Sequence, residues 1–522
     1  MRGDTAYGSS ADDAVAPRGV PLDLRSTMTP ILFVYAKGGP PLEYAVPRIA
    51  AHAEVHVLAL APLPRITESV WLPACASVTT APPGEGVELV DLICSHARRV
   101  GAEAVLTLSE YAVVAVAHAS LRLGLRGAGE RVAGARDKRL MRRIWRDAGV
   151  PVPRFAEIHA PEDIAAAFRT LRPPLLLKAA WSAGSTAHLT VWNEQQAEAA
   201  WKTGRSVMEA SSAQGYAELH AADEGVSDFL LEEIVTGEAA DWFDADGWGD
   251  YVSVEGIVAD GRYHPLCITG RMPTIAPFTE RASLAPAALP EALQRRIEEV
   301  SRAAVDALGL DTCATHTEIK LGADGAMWLI ETAARFGGVM TTRQVETVFG
   351  FDMIGMLVRQ LLGQEVAYPE RMLTEGAGAG GGEGAAGSLV ILAVDPAGRP
   401  WTELPAWDFE SVDWAALVAP GSRVELVREH SLAPGSPVPP YEEAGGANSM
   451  AALCFLTAES GPQLLADCGR ILAALPDALT APAVTPALGS GPAAPTDSGS
   501  GPAAPTETSP LSADRPTPGS PA

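Results

Sequence analysis

Basic residues are scarce. The chain of 522 residues holds 39 Lys and Arg against 64 Asp and Glu, for a formal net charge of −25. Nucleic-acid binding neutralises phosphates with Lys and Arg, so a surface of this sign argues against such a partner. It argues equally against an anionic membrane surface, and it favours solubility. Long apolar runs are missing as well. Although 47% of the residues are hydrophobic, no run reaches the roughly 18–20 residues of a membrane span. Residues 1–28 lack the apolar centre of a secretory signal. Cysteine is sparse and dispersed: Cys75, Cys94, Cys267, Cys313, Cys454 and Cys468 form no Cys-x-x-Cys pair. That pattern excludes a zinc ribbon and a disulfide framework and fits buried, reduced thiols in a cytoplasmic protein. Two phosphate signatures are also lacking. Gly38-Gly39 opens no Gly-x-Gly-x-x-Gly, and no Gly-x-x-x-x-Gly-Lys-[Ser/Thr] occurs.

What is present is concentrated in one stretch, His316 to Gly338. Thr317 to Leu321 alternate, Ala323-Asp-Gly325 is a turn, and Met327 to Ile330 form a second short strand, so the stretch predicts a β-hairpin. Alternation places His316, Glu318 and Lys320 on one face. Glu331 ends the second strand and Arg335 follows four residues on. Two carboxylates facing each other across a hairpin suit Mg²⁺, which takes one or two carboxylates plus the phosphates of its nucleotide.

At these residues the chain resembles the ATP-grasp superfamily, and more narrowly its L-amino acid ligases, the dipeptide ligases typified by the bacilysin-pathway enzyme. The carrying motifs are His316-Thr-Glu-Ile-Lys-Leu, Leu329-Ile-Glu-Thr-Ala-Ala-Arg-Phe-Gly-Gly and Val348-Phe-Gly-Phe-Asp-Met. Upstream motifs recur in family order, and the resemblance covers about residues 30–480. It implies an ATP-dependent carboxylate–amine ligase that forms a peptide bond between two amino acids through an acyl phosphate. It leaves open a non-proteinogenic acid or another amine from natural-product biosynthesis, and an inactive nucleotide-binding relative. A biotin-dependent carboxylase is disfavoured, because no Ala-Met-Lys-Met acceptor occurs. Many ATP-grasp enzymes carry Glu-x-Asn where this chain has Glu331-Thr-Ala333. The missing Asn removes one ligand of a second ion, as is common among the amino acid ligases. The cofactors implied are ATP and Mg²⁺, one ion or two, with Mn²⁺ as a substitute. A homodimer is implied by the family alone.

Residue by residue, the resemblance assigns Lys138 and Lys178 to the ATP phosphates. The loop holding Ser182, Gly184 and Ser185 closes over them, since Gly and Ser let backbone N–H groups approach phosphate. His188 is within reach of phosphate on this reading, but is read as an exposed loop histidine. Glu232, Glu233 and Val235 belong to the hinge at the adenine edge, and Glu238 is assigned to the ribose. Glu318 and Glu331 take the metal. Arg335 is assigned to the transferring phosphoryl group, Glu280 to the substrate ammonium, and Arg271 to a phosphate or carboxylate. His316 orients phosphate or moves a proton. After Gly338 the bacilysin-pathway enzyme has a bulky aromatic. Val339 stands here and implies a wider acceptor pocket.

The organisation expected is α/β and α+β multidomain: an ATP-grasp fold with a Rossmann-like N-terminal pre-domain and a small C-terminal α+β domain. Residues 1–28 form a polar tail, 29–135 the pre-domain and 136–366 the ATP-grasp domain, with a lid at about 136–230. Residues 367–480 form the C-terminal domain, with a Gly-rich linker at 375–387. Residues 481–522 form a Pro/Ala/Gly-rich tail. Ser109-Glu110 closes a strand where α/β sheets place ligands, but the pair is equally an N-cap for the next helix. The tract 241–250 is expected to be an extended hairpin tip, since its Asp spacing fails the EF-hand pattern: position 12 falls on Val252.

Overall fold

The computed structural model describes residues 28–82, 86–216, 218–219, 228–375, 384–404 and 406–480. Nearly all of both tails, and linker residues 376–383, lie outside the described residues.

Among the described residues three large sheets build the body, beside a two-stranded pairing of Ala406–Trp407 with Ser436–Pro437. The first is parallel, with strand order Cys75–Thr80, Glu54–Ala59, Pro30–Tyr35, Ala104–Leu106. Ile31, Leu32, Phe33 and Val34 are all buried, the continuous apolar run expected of a strand covered on both faces. Gly38-Gly39 follows at its carboxyl end. Gly39 has φ +82°, and a Cβ there would lie 2.6 Å from the Leu108 carbonyl, so only Gly lets this turn pack against the neighbouring strand end. Ser109 Oγ donates to the Lys37 carbonyl at 2.6 Å and accepts from Tyr111 N at 3.4 Å. The N-cap expectation for Ser109 therefore holds.

The second sheet is antiparallel, in the order Phe155–Ile158, Phe229–Glu233, Leu175–Ala179, His188–Val191. Helix Glu194–Ala213 packs against it.

The third sheet has eight strands. In order they are Met327–Ala333, Cys313–Leu321, Tyr251–Ala259, Arg262–Arg271, Ala282–Ala285, Ala385–Ile391, Ala452–Ala458 and Arg423–Leu426. Three of these come from the stretch 367–480, so the strands expected in a separate C-terminal domain continue the central sheet. The junction depends on small residues: a Cβ on Gly387 would lie 2.8 Å from the Ser283 carbonyl. The end of the Gly-rich run is thus strand rather than linker, because its missing side chains permit close pairing. Helix Glu291–Leu308 lies on the sheet with Ile297, Ala304, Val305 and Leu308 buried, and ends at Gly309 with φ +63°. Gly suits this left-handed C-cap.

The tract 241–250 is not an extended hairpin tip. Trp242, Phe243 and Trp248 are buried, and the Phe243 and Trp248 rings stack at 5.0 Å. Trp242 Nε1 donates to the Gly322 carbonyl at 2.8 Å. Burying three large aromatic side chains outweighs the polar Asp residues between them. Among the described residues no helix is long and apolar enough to cross a membrane.

Candidate active site

A cavity of about 330 Å³ is lined by residues of the second and third sheets and by Gly38, Gly39, Glu110 and Tyr111, which follow strands of the first. Its floor is the predicted hairpin. Glu318 pairs directly with Glu331 and His316 with Ala333, with a bulge just after Glu318. Directly opposed residues share a face, so both carboxylates and His316 point the same way, and all three border the cavity. Lys138, at the start of helix Lys138–Asp147, reaches Glu331 Oε1 at 3.2 Å and donates to the Ser182 carbonyl at 2.7 Å. Burial would raise the Glu331 pKa, but Lys138, Arg335 and Arg136 hold it below the usual carboxylate range. Among the described residues no group of three or more His, Cys, Asp or Glu could hold a metal. Two facing carboxylates next to cations are instead the donor set of an ion that shares its shell with phosphate oxygens, and Mg²⁺ fits that description.

The second sheet supplies Lys178. Its Nζ is ion-paired with Glu232, and Arg142 Nε lies 3.1 Å from the other Glu232 oxygen. Arg142 Nη2 also donates to the Ile330 carbonyl at 2.7 Å, which ties this sheet to the hairpin. Burial would raise the Glu232 pKa, but Arg142 and Lys178 lower it. The Glu233 side chain turns outward to Arg154 at 3.0 Å. Glu232, Glu233, Ile234 and Val235 all border the cavity.

Two assigned residues lie elsewhere. Glu238 is exposed, does not line the cavity, and accepts from Ala240 N at 3.1 Å. The buried aromatic tract that follows it draws the chain away from the cavity. Ser182 is buried beneath the loop rather than bordering the cavity. Its hydroxyl donates to Ala179 at 3.1 Å, and its carbonyl accepts from Lys138 and Arg136. Gly184 and Ser185 do line the cavity.

That loop is held in place. Gly184, Ser185 and Ala187 all have positive φ, at 63°, 61° and 56°, a backbone that non-Gly residues adopt only when their surroundings enforce it. The enforcing segment is 441–450. Ala447 N donates to the Gly184 carbonyl at 3.0 Å, Ala187 N donates to the Ala444 carbonyl at 2.8 Å, and Asn448 Nδ2 donates to Thr186 Oγ1 at 3.2 Å. A Cβ on Gly446 would lie 2.3 Å from the Gly184 carbonyl. His188, which follows the loop, is not an exposed loop residue. It begins a strand, its ring nitrogens are buried, and it borders the cavity.

The opposite wall carries Arg271 and Glu280. Arg271 is almost fully buried. Its Nε donates to Glu280 Oε1 at 3.0 Å, Nη1 to Thr269 Oγ1 at 2.8 Å, and Nη2 to Ser253 Oγ at 2.6 Å. Four of its five N–H donors are thus engaged within the protein, counting Nη1 to the Gly270 carbonyl at 3.1 Å. Tyr251 Oη also donates to Glu280. Burial opposes the charge on Glu280, but Arg271 keeps its pKa low. His316 Nδ1 lies 2.7 Å from Glu255 Oε1. Burial would lower the imidazole pKa, yet the Glu255 carboxylate raises it to about 9. Arg335 Nε meets Glu110 Oε2 at 2.5 Å.

Residues 171–343 match the family model of the ATP-grasp domain. The solved L-amino acid ligase from Bacillus licheniformis superimposes with a TM-score of 0.65 at 20% identity, covering 86% of this chain and 98% of that one. The chain has the ATP-grasp fold. By sequence, the alanine–anticapsin ligase of Bacillus subtilis (strain 168) is 36% identical over 290 residues, which is 55% of this chain and 60% of that enzyme. The match thus spans less than two thirds of this curated relative's length. The biotin carboxylase domain of the Hydrogenobacter thermophilus 2-oxoglutarate carboxylase, solved with MgADP, shares the architecture with a TM-score of 0.58 at 18% identity, covering 83% and 87% of the two chains.

Around this cavity, sequence reasoning missed Tyr251, Ser253 and Glu255. The available signal was alternation: these are the polar positions at i, i+2 and i+4 of an otherwise apolar strand, and they therefore share one face. Glu110 was visible only as the neighbour of a cap. The contact between segment 441–450 and the loop carried no local signal beyond Gly445-Gly446.

Proposed function

We propose that the chain is an ATP-dependent carboxylate–amine ligase that joins two amino acids through an acyl phosphate and releases ADP and phosphate. The observation that carries this reading is the register pair Glu318–Glu331, flanked by Lys138 and sharing one cavity with Lys178 and Arg335. The names of the relatives support it: one is an alanine–anticapsin ligase and one an L-amino acid ligase.

Glu318 and Glu331 would hold Mg²⁺, which when bound supplies charge neutralisation between the phosphates and the attacking carboxylate; Mn²⁺ would suit the same oxygens. Lys138 and Lys178 neutralise the triphosphate, and Ile234 and Val235 offer backbone to the adenine edge. Phosphoryl transfer then depends on positioning and charge. The amino acid carboxylate oxygen bonds to the γ-phosphorus as the bond to ADP breaks. Glu280, aimed by Arg271 and Tyr251, holds an ammonium group. The second amine attacks the acyl carbon, the C–O bond to phosphate breaks, and the nitrogen loses its proton. Arg335, set by Glu110, stabilises the oxyanion. The loop 182–187 keeps water from the acyl phosphate. Val339, with φ +52°, borders a wider acceptor space than an aromatic would leave.

The test is a matrix of amino acid pairs with MgATP, read by phosphate release and product mass. The expected product has the mass of two acids minus water. Phosphate release without condensation would transfer the reading to another amine, and no turnover with any acid would favour an inactive nucleotide-binding protein. Glu318→Gln should lower ADP formation by about a thousandfold or more, since it removes charge from the transition-state clamp. Full activity in that variant would remove the metal assignment.

A further inference from the structure

His188 lies on the wall that carries Lys178, and no step above uses it. Strand register pairs it directly with Lys178, which places the two side chains on one face with Cβ atoms about 5 Å apart. Both ring nitrogens are buried and have no hydrogen-bond partner, although the residue borders the cavity. A buried polar atom without a partner costs free energy that a ligand can return. The backbone leading into it is strained, with Ser185 and Ala187 at positive φ, and such strain clusters at ligand clamps. Four observations thus converge on one ring beside the lysines assigned to ATP.

We propose that His188 is a nucleotide-binding residue that takes up a proton when MgATP binds and donates the resulting N–H to a phosphate oxygen. The inference rests on the nucleotide reading of the cavity. Without ligand, burial and then the charges of Lys178 and Lys138 hold the imidazole neutral, its pKa well below the usual value. Helix Glu194–Ala213 and the turn Glu443–Ser449 pack on the same strand, but neither adds a charge acting on the ring. Glu232 faces Lys178, and Glu331 faces Lys138. An arriving triphosphate reverses the sign of the local field, so the imidazolium, disfavoured beside two lysines, becomes favoured. The proton comes from buffer. Because the bound state has the higher pKa, the contribution to affinity is complete at low pH and disappears as pH rises through the bound-state value.

Titration calorimetry of the full chain with MgATP, in two buffers of different ionisation enthalpy near pH 7, reads the protons exchanged. Uptake should approach one proton in the wild type and fall by about that amount in His188→Gln, whose Kd should be about tenfold weaker. Where His188→Gln does not fold, the wild type alone decides, since its Kd must weaken as pH rises from 6 to 9. MgATP binding with no uptake and a pH-independent Kd overturns the role of His188 and leaves the nucleotide site intact. No MgATP binding at all overturns both.

Discussion

The two walls of the cavity each hold a glutamate ion-paired to a buried arginine, and they differ in how far the pairing goes. Glu232 has Arg142 on one oxygen and Lys178 on the other, and its side chain is 5% exposed. Glu280 has Arg271 on one oxygen and keeps 37% of its side-chain surface, on the cavity side. The first carboxylate is enclosed, and its work is to hold Lys178 and, through Arg142, the hairpin strand in place. The second is aimed by its arginine and left open to a ligand. On the proposed function, the same pair of residue types would therefore serve architecture on one wall and recognition on the other.

The largest expected effect breaks the enclosed pair. Glu232→Gln leaves Arg142 and Lys178 buried without their counter-charge, and removing one partner of a buried ion pair costs about 3–5 kcal/mol. Denaturant titration should show that loss. A variant as stable as the wild type would mean that this cluster is solvated, and the contrast between the walls would fall. The deficit should also depend on pH with a fixed sign. The folded carboxylate has a lowered pKa, so its stabilisation is present above the unfolded value of about 4.3 and is lost as pH falls through the folded one. The gap between wild type and Glu232→Gln should therefore be widest near pH 6–8 and close in acid. A gap that widens below pH 4 would reverse the assignment.

Glu280→Gln should behave the other way. We expect a stability loss of about 1 kcal/mol or less, because the group is partly open, with a rise of about tenfold or more in KM for the amino acid, since a charge-assisted contact is lost. KM for ATP should change less than twofold. Equal changes in both constants would show that Glu280 supports the whole cavity.

This contrast explains what could be read from the chain. The hairpin carboxylates, Lys138, Lys178 and Arg335 were legible because strand alternation and the helix start fix where their side chains go, and their neighbours in sequence carry the motif. Glu255 was not, although it sets the charge of His316: its partner lies 61 positions away, and the alternation of Tyr251, Ser253 and Glu255 marks a polar face without saying what that face meets. Glu238 was misplaced for a related reason. The assignment carried over a family position just before a tract that the sequence does not place, and there Trp242, Phe243 and Trp248 pack into the core. The strands beyond 384 were legible as strands, but which sheet they join depends on pairing between Ala282–Ala285 and Ala385–Ile391, a contact about a hundred residues apart.

The smallest expected effect concerns what joins the two walls. Segment 441–450 grips loop 182–187, and Tyr441 Oη donates to Thr279 Oγ1 at 2.9 Å, one residue from Glu280. Ser185 Oγ donates to the Phe278 carbonyl at 3.0 Å. The loop over the nucleotide wall and the loop carrying Glu280 are therefore fastened to one strip of chain. Gly446, at φ +55° and against the Gly184 carbonyl, has no room for a side chain. Gly446→Ala should cost on the order of 1–3 kcal/mol of local strain, relieved by lifting the strip. Because the strip touches both loops, KM for ATP and for the amino acid should rise together, each by about three- to tenfold, where Glu280→Gln moves only one. A Gly446→Ala enzyme that changes the ATP constant alone would mean that the strip serves the nucleotide loop only, and that the two walls close independently.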